Sequence, residues 1–136
     1  MTDATGAPLP PYARLLGISV EQANDGASPV LRMDFSAALA GRPGNLHGGA
    51  IAGLLDMAAH AALTSSLAAS NRPGFKQIGI TIDYVRTGKQ QPTFARGRVT
   101  RVGRRVATVI VEAWQEEGGP QMAAARLHML LTGDED

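Results

Sequence analysis

His47, Gly48 and Asp56 are the residues of this chain whose types and spacing could do chemistry. They lie in the stretch NLHGGAIAGLLD, residues 45–56, where a histidine and two glycines open an apolar run that contains one carboxylate. A helix start offers unpaired backbone N–H groups and a positive dipole end, and glycine lets a ligand approach because it lacks a Cβ. This suits a carbonyl oxygen that becomes negative in a reaction. Asp56 is a candidate general base or nucleophile, since a carboxylate on an apolar helix is costly unless it is paired, hydrated or functional.

The residues after Gly48 follow a helical pattern. Apolar side chains recur three and four residues apart in GGAIAGLLDMAAHAALTSSLAAS, which predicts one helix of about twenty residues that ends at residues 71–74. Gly48 and Asp56 are eight residues apart, or roughly 12 Å along the helix, so one helix cannot bring both to the same carbonyl carbon. Two antiparallel copies of the helix can. The spacing therefore predicts a two-fold dimer with two equivalent sites.

One face of this helix has little side-chain volume. Gly49, Ala52 and Gly53 lie three or four residues apart on the face of Asp56 and His60, which leaves room for a ligand or a second chain. A structural alternative is a contact between Asp56 and His60 at i,i+4. These two residues also have the spacing of metal ligands, but no third ligand is evident and we predict no metal site.

The other segments are predicted to be strands joined by turns. After a short helical turn at 12–17 come short strands at 18–22 and 30–35 around a turn at 24–29, and longer strands at 78–86, 93–102, 105–114 and 121–132. Short joints between the later strands indicate an antiparallel meander. One long helix against an antiparallel sheet is an α+β architecture. Residues 1–14 are predicted to be a flexible segment, and residues 15–133 a single domain.

Composition excludes several classes of protein. The 136 residues include no cysteine and have a formal net charge of +1, so disulfides and thiolate chemistry are excluded and no global field attracts nucleic acid. No apolar stretch reaches the ~18 residues of a membrane span and no signal-peptide pattern is present, so we expect a cytoplasmic protein without membrane association. The sequence also lacks a G-x-S-x-G elbow and a GK[ST] phosphate loop. Basic residues gather between Arg86 and Arg105, which suits an anion or, for any one of them, a solvated strand end.

Four stretches together resemble the PaaI-like branch of the hotdog-fold acyl-CoA thioesterases: LLGISV, LHGGAIAGLLD, ITIDYVRTG and VTRVGRRVATVIVEAW, between Leu15 and Leu131. The resemblance implies a long helix wrapped by an antiparallel sheet, and homodimers that often pair into tetramers. It also implies that Asp56 is the catalytic carboxylate, that the Gly48 N–H polarises the thioester carbonyl, and that His47 orients or caps the helix start. In this family the two halves of each site come from different subunits.

The sequence departs from the family pattern around this motif. Many members have Asn or Gln six residues before the histidine, where this chain has Gly41, and Asn45 is the candidate substitute. His60 stands where some members have a hydroxyl four residues after the carboxylate, and Gln77 lies near the position of another hydroxyl. We therefore expect Asn45, Gly49, His60 and Gln77 to contact the substrate.

These observations and the resemblance predict hydrolysis of an acyl-CoA thioester to coenzyme A and a carboxylic acid. Asp56 of the partner subunit activates water, or attacks directly to give a mixed anhydride, while the Gly48 N–H stabilises the oxyanion. No cofactor is expected beyond the coenzyme A of the substrate, whose phosphates have as candidate ligands Arg86, Lys89, Arg104 and Arg105. Two alternatives stay open: a non-catalytic acyl-CoA binding or sensing module, and a hotdog hydratase or dehydratase.

Overall fold

The computed structural model describes residues 9–22, 28–68, 70 and 74–132. Across these residues the chain forms two α-helices, a one-turn 3-10 helix and six strands. In chain order they are α1 (Pro11–Leu15), β1 (Ile18–Gln22), β2 (Val30–Met33), the 3-10 helix (Ala37–Leu39), α2 (Gly48–Ser66), β3 (Gly74–Tyr84), β4 (Thr93–Val102), β5 (Val106–Trp114) and β6 (Gln121–Thr132). Neither described α-helix has the length and apolar character that a membrane span requires.

The strands of the described residues form one antiparallel sheet in the order β1-β2-β4-β5-β6-β3. β4, β5 and β6 make the meander that the short joints predicted, whereas β3 lies at the far edge beside β6. α2 packs across one face of this sheet, chiefly against β4 and β5. The predicted α+β architecture, with one long helix wrapped by an antiparallel sheet, is confirmed.

α2 is buried along most of its length and approaches the sheet closely at one glycine. Its 19 residues include a largely buried run between Ala50 and Leu63. The close approach depends on Gly97 of β4, where a Cβ would lie 2.9 Å from the Cβ of Ala62 and 3.0 Å from the carbonyl oxygen of Ala58. The predicted helix is thus confirmed in place and length, while residues 71–73 of its predicted end lie outside the described part of the chain.

The structure corrects the predicted bounds of three strands. β3 ends at Tyr84 and not at Arg86, and β5 begins at Val106 and not at Arg105. β3 begins at Gly74, which pairs with Thr132, and not at Ile78. The pairing with β6 extends the strand back to Gly74, which belongs to a sequence typical of a turn. β2 ends at Met33 rather than at Phe35, because the pairing with β4 ends there. Most of the predicted turn at 24–29 lies outside the described residues.

The N-terminal segment joins the hydrophobic core at an earlier residue than predicted. Leu9 and Ala13 belong to the hydrophobic core, so the segment predicted as flexible is part of the fold from Leu9 onward; residues 1–8 and 133 lie outside the described residues. α1 covers α2 at Gly53, where a Cβ would lie 2.5 Å from Cδ1 of Leu16 and 3.1 Å from the ring of Tyr12. Gly53 is therefore buried under α1 and does not belong to the open face of the helix.

The inner face of β3 is covered only in part. Ile80 lies opposite Leu127 and Tyr84 opposite Ala123, and both β6 residues are in the core. Residues directly opposite each other in an antiparallel pair point to the same face. Ile80 and Tyr84 thus point to the helix side of the sheet, yet they are 37% and 52% exposed. A long edge strand with exposed apolar side chains favours pairing with a further strand.

Candidate active site

The start of α2 is capped by His47, and one of its backbone donors has no acceptor in the described part of the chain. The Gly49 N–H donates to Nδ1 of His47 at 2.8 Å, and the N–H groups of Ala50 and Ile51 donate to the His47 carbonyl. Nδ1 therefore has a lone pair, and His47 is neutral with its proton on Nε2. Gly49, expected to contact the substrate, already uses its N–H in this cap. Among the described residues the Gly48 N–H has no acceptor, so it has the chemistry of an oxyanion donor.

Tyr84 contacts the helix start and was not identified from the sequence. Its hydroxyl donates to the Gly48 carbonyl at 3.0 Å, and a Cβ at Gly48 would lie 3.7 Å from its ring. The two residues are 36 positions apart in the chain. In the sequence Tyr84 is only one member of an alternating strand, so no local signal connects it to the helix start.

A cleft of about 520 Å³ opens beside the helix start. This volume lies in the range of small-molecule sites, ~300–1,000 Å³. The lining brings together four of the predicted site residues, Asn45, His47, Gly48 and Arg86. The other lining residues include one further arginine and no acid, and they are Gly41, Arg42, Leu46, Ile51, Tyr84, Val85, Thr87 and Gly88. The cleft therefore has a positive charge that suits an anionic substrate.

Hydrogen bonds hold the loop of residues 85–92, which forms one wall of this cleft. The Leu46 N–H donates to the Gly88 carbonyl at 2.8 Å. The side chain of Gln115, just after β5, brackets Lys89: its Oε1 accepts from the Lys89 N–H at 3.0 Å, and its Nε2 donates to the Lys89 carbonyl at 2.9 Å. The backbone of Lys89 is thus fixed beside the cleft, while its exposed side chain is not part of the lining.

Asp56 lies near the middle of α2 and is half-buried. Its carboxylate makes no hydrogen bond or ion pair with any of the described residues. Burial raises the pKa of this carboxyl above its ordinary value of 3.8, because the charged form loses hydration. Pairing with a described side chain therefore does not explain this carboxylate. An unpaired carboxylate with a raised pKa is typical of functional sites.

Gly48, Asp56 and His60 share one face of α2, since they lie eight and four residues apart, and both ends of this face contact β3. At one end the ring of His60 meets Phe75, with centroids 4.9 Å apart. At the other end Gly48 meets Tyr84. Since Gly48 begins α2 and Tyr84 ends β3, the helix and the strand run in opposite directions between these two contacts. Asp56 is not part of the cleft lining, so one chain does not bring it to the Gly48 N–H.

The remaining predicted residues also lie outside the cleft. Gln77 is opposite the buried Met129 and so shares the inner face of β3. Arg104 and Arg105 lie in the turn between β4 and β5, at the end of the sheet remote from the loop 85–92. The described residues contain no cluster of three or more His, Asp or Glu side chains that could bind a metal ion.

The long helix α2 wrapped by an antiparallel sheet, with the candidate site at its start, defines a hotdog-fold protein. Comparison with known proteins agrees: the thioesterase superfamily matches residues 43–121, more than half of the chain. The chain belongs to the thioesterase superfamily. No curated protein matches it at a significant level.

Solved structures from several organisms share this fold. A Chromobacterium violaceum protein is 31% identical with a TM-score of 0.67, and the match covers 90% of this chain and 84% of that one. Zebra fish thioesterase superfamily member 2 is 25% identical with a TM-score of 0.73, covering 90% and 88%. A phenylacetic acid degradation-related protein from Ralstonia eutropha JMP134, described as a candidate thioesterase, is 22% identical with a TM-score of 0.74, covering 93% of each chain.

Proposed function

We propose that the protein hydrolyses acyl-CoA thioesters and belongs to the PaaI-like branch of its superfamily. The observation that carries the proposal is the Gly48 N–H, which is unpaired among the described residues and lies at the capped start of α2 in a positively charged cleft. A thioester carbonyl bound there would accept a hydrogen bond from this N–H, and the hydrogen bond would strengthen as the oxygen becomes negative. The similar protein named for phenylacetic acid degradation supports the choice of branch.

A second copy of the chain supplies the other half of the site in this proposal. An antiparallel copy of β3, paired along the free edge, would place the Phe75 end of one copy beside the Tyr84 end of the other. Asp56 of one copy then approaches Gly48 of the other, and the two-fold axis generates two equivalent sites. The same pairing would cover the exposed inner face of β3. The active form is therefore a homodimer, or a tetramer made of two such dimers.

The reaction follows from these two groups. Water loses a proton to Asp56 while its oxygen bonds to the thioester carbon, and the carbonyl oxygen becomes an oxyanion held by the Gly48 N–H. When this intermediate collapses, the C–S bond breaks and the thiolate of coenzyme A leaves. In the second route the Asp56 carboxylate bonds to the carbon itself, the C–S bond breaks as the thiolate of coenzyme A leaves, and water then hydrolyses the resulting mixed anhydride. The raised pKa of Asp56 makes it a stronger base than an exposed aspartate in the first route.

Basic residues from both copies would bind the phosphates of coenzyme A. Arg86 lines the cleft, and Lys89 lies in the same wall. Arg104 and Arg105 lie at the end of the sheet where β3 begins, since β5 and β3 both pair with the last residues of β6 there. Antiparallel pairing of two copies therefore brings this turn toward the cleft of the partner, where arginine can bind phosphate oxygens.

A non-catalytic acyl-CoA binding module is the second candidate, and Gly41 favours it. A Cβ at this position would lie 3.0 Å from Cα and 3.2 Å from the backbone nitrogen of His47. The loop therefore has no room for the amide side chain that many relatives have there. Asn45 lines the same cleft and is the candidate replacement.

The test is release of free thiol from acetyl-, hexanoyl-, lauroyl-, phenylacetyl- and benzoyl-CoA. Wild type is compared with Asp56→Asn, and Asp83→Asn is the matched control because Asp83 is exposed and points to the outer face of β3, opposite Ala124. We expect turnover by wild type and the control, and a loss of at least 100-fold in Asp56→Asn at unchanged oligomer size, the scale of a lost general base, ~10²–10⁴.

Two results would contradict the proposal in different ways. Turnover that survives in Asp56→Asn would remove this carboxylate from the mechanism. Absence of turnover with every thioester, together with measurable affinity of wild type for the same acyl-CoA compounds by calorimetry, would establish the binding module instead.

A further inference from the structure

Two side chains bind one peptide unit at the start of α2. The Tyr84 hydroxyl donates to the carbonyl of Gly48, at 3.0 Å. The N–H of the same peptide unit, which belongs to Gly49, donates to Nδ1 of His47, at 2.8 Å. The Gly48–Gly49 peptide is therefore held on both sides, by one side chain from β3 and by one from the loop before the helix.

This restraint matters because the held unit joins two glycines. Glycine has the widest choice of backbone conformations, so a Gly-Gly helix start has no intrinsic preference that would fix the direction of its N–H groups. The peptide is planar, so fixing its carbonyl and its N–H fixes the plane. The Gly48 N–H is joined to this plane through a single Cα. Donation to the carbonyl also polarises the N–H of the same peptide, which strengthens its bond to His47.

We infer that Tyr84 is a positioning residue of the active site. Through the Gly48–Gly49 peptide it aims the free Gly48 N–H and holds His47 in the neutral tautomer with its proton on Nε2. The effect on turnover rests on the proposed function, whereas the effect on His47 and Gly49 does not. Tyr84 contributes nothing to the chemical step itself, and its hydroxyl acts only through the helix start.

Tyr84→Phe removes the hydroxyl and keeps the ring. Tyr12→Phe is the matched control, because Tyr12 is the other tyrosine of the chain. It lies on α1 and packs over Gly53 of α2. We expect Tyr84→Phe to lower kcat for acyl-CoA about 2- to 13-fold, the factor that one lost neutral hydrogen bond produces. KM should stay within about twofold, since the donor acts mainly in the transition state. Tyr12→Phe should change neither constant.

Nuclear magnetic resonance gives a readout that does not need turnover. In ¹⁵N-labelled protein, Tyr84→Phe should shift the Gly49 amide proton upfield and reduce the fraction of His47 with its proton on Nε2. Gly49→Ala tests the connection from its other end, because the new Cβ would lie 2.9 Å from Nδ1 and 3.0 Å from Cε1 of His47 and must displace the ring. Tyr84→Phe should then have a smaller effect on kcat in the Gly49→Ala background than in wild type, as expected for coupled groups.

The outcomes separate the two proposals. Equal kcat and equal Gly49 and His47 resonances in Tyr84→Phe and Tyr12→Phe would overturn the inference, and so would a change in KM alone. Additive effects of Tyr84→Phe and Gly49→Ala on kcat would also overturn it. If wild type turns over no thioester, the proposed function fails, and the two resonances alone decide whether Tyr84 holds the helix start.

Discussion

Replacing Asp56 by asparagine should make the protein more stable while it removes activity. Burial raises the pKa of Asp56 above 3.8, so the folded chain binds this proton more tightly than the unfolded chain does. Ionisation therefore lowers the free energy of unfolding as pH rises above 3.8 and through the raised pKa. Asparagine keeps the shape and removes the charge. For a half-buried unpaired group we expect a gain of about 1 kcal/mol at neutral pH, the low end of the mutational range for buried polar groups.

Thermal unfolding from pH 3 to pH 8 measures this effect, with the oligomer size of each protein checked by light scattering. A gain of about 1 kcal/mol corresponds to an increase in Tm of about 3–5 °C for a domain of this size. The difference between Asp56→Asn and wild type should be present at neutral pH, shrink through the raised pKa and vanish below pH 3.8. A lower Tm for Asp56→Asn at neutral pH would refute the argument, because it would mean that the carboxylate is stabilised in the assembled protein. A pH-independent difference would refute it as well.

Two further substitutions test the packing of α2 and the role of β3. Gly97→Ala should lower the free energy of unfolding by about 1–3 kcal/mol in denaturant titration, because its methyl group would meet Ala62 and the backbone of α2. Gly79→Ala is the control: its Cβ would have no neighbour nearer than 3.9 Å, so the free energy of unfolding should change by less than about 1 kcal/mol. Equal losses in the two variants would contradict the close approach of α2 to β4. Ile80→Asp should raise the Kd of the dimer about 100-fold in sedimentation experiments, because it would bury two charges at a two-fold interface. Leu15→Asp, at a site on α1 that is 78% exposed, should leave the Kd unchanged. A dimer that tolerates Ile80→Asp would exclude pairing through β3.

The helix and its start were predictable because their signals are local. Apolar residues at helical spacing mark α2, and the His-Gly-Gly sequence marks its beginning at Gly48. The strand segments were also recognisable, but their ends were not. Gly74 follows a proline, and this pair is typical of a turn, yet pairing with Thr132 makes Gly74 part of β3. Tertiary pairing overrides local preference at such positions.

The N-terminal segment shows the same limit in a different way. Its prolines and small residues resemble a loose tail. Leu9 and Ala13 nevertheless belong to the hydrophobic core, and Tyr12 and Leu16 of the same segment pack over Gly53 of α2. Neither residue has a local pattern that indicates this neighbour, because the contact joins parts of the chain that are far apart in sequence.

The sequence by itself determined that Gly48 and Asp56 lie on one helix, and it thereby determined their separation along the axis. Only the tertiary structure decided that Tyr84 holds the helix start, that the Gly48 N–H is left free, and that an unpaired Asp56 has a raised pKa. The physical reason is that helix spacing follows from a short-range repeat along the chain. The position of Tyr84 instead follows from the pairing of β3 with β6 at the sheet edge, and burial and hydrogen bonding depend on neighbours that such long-range pairing brings together.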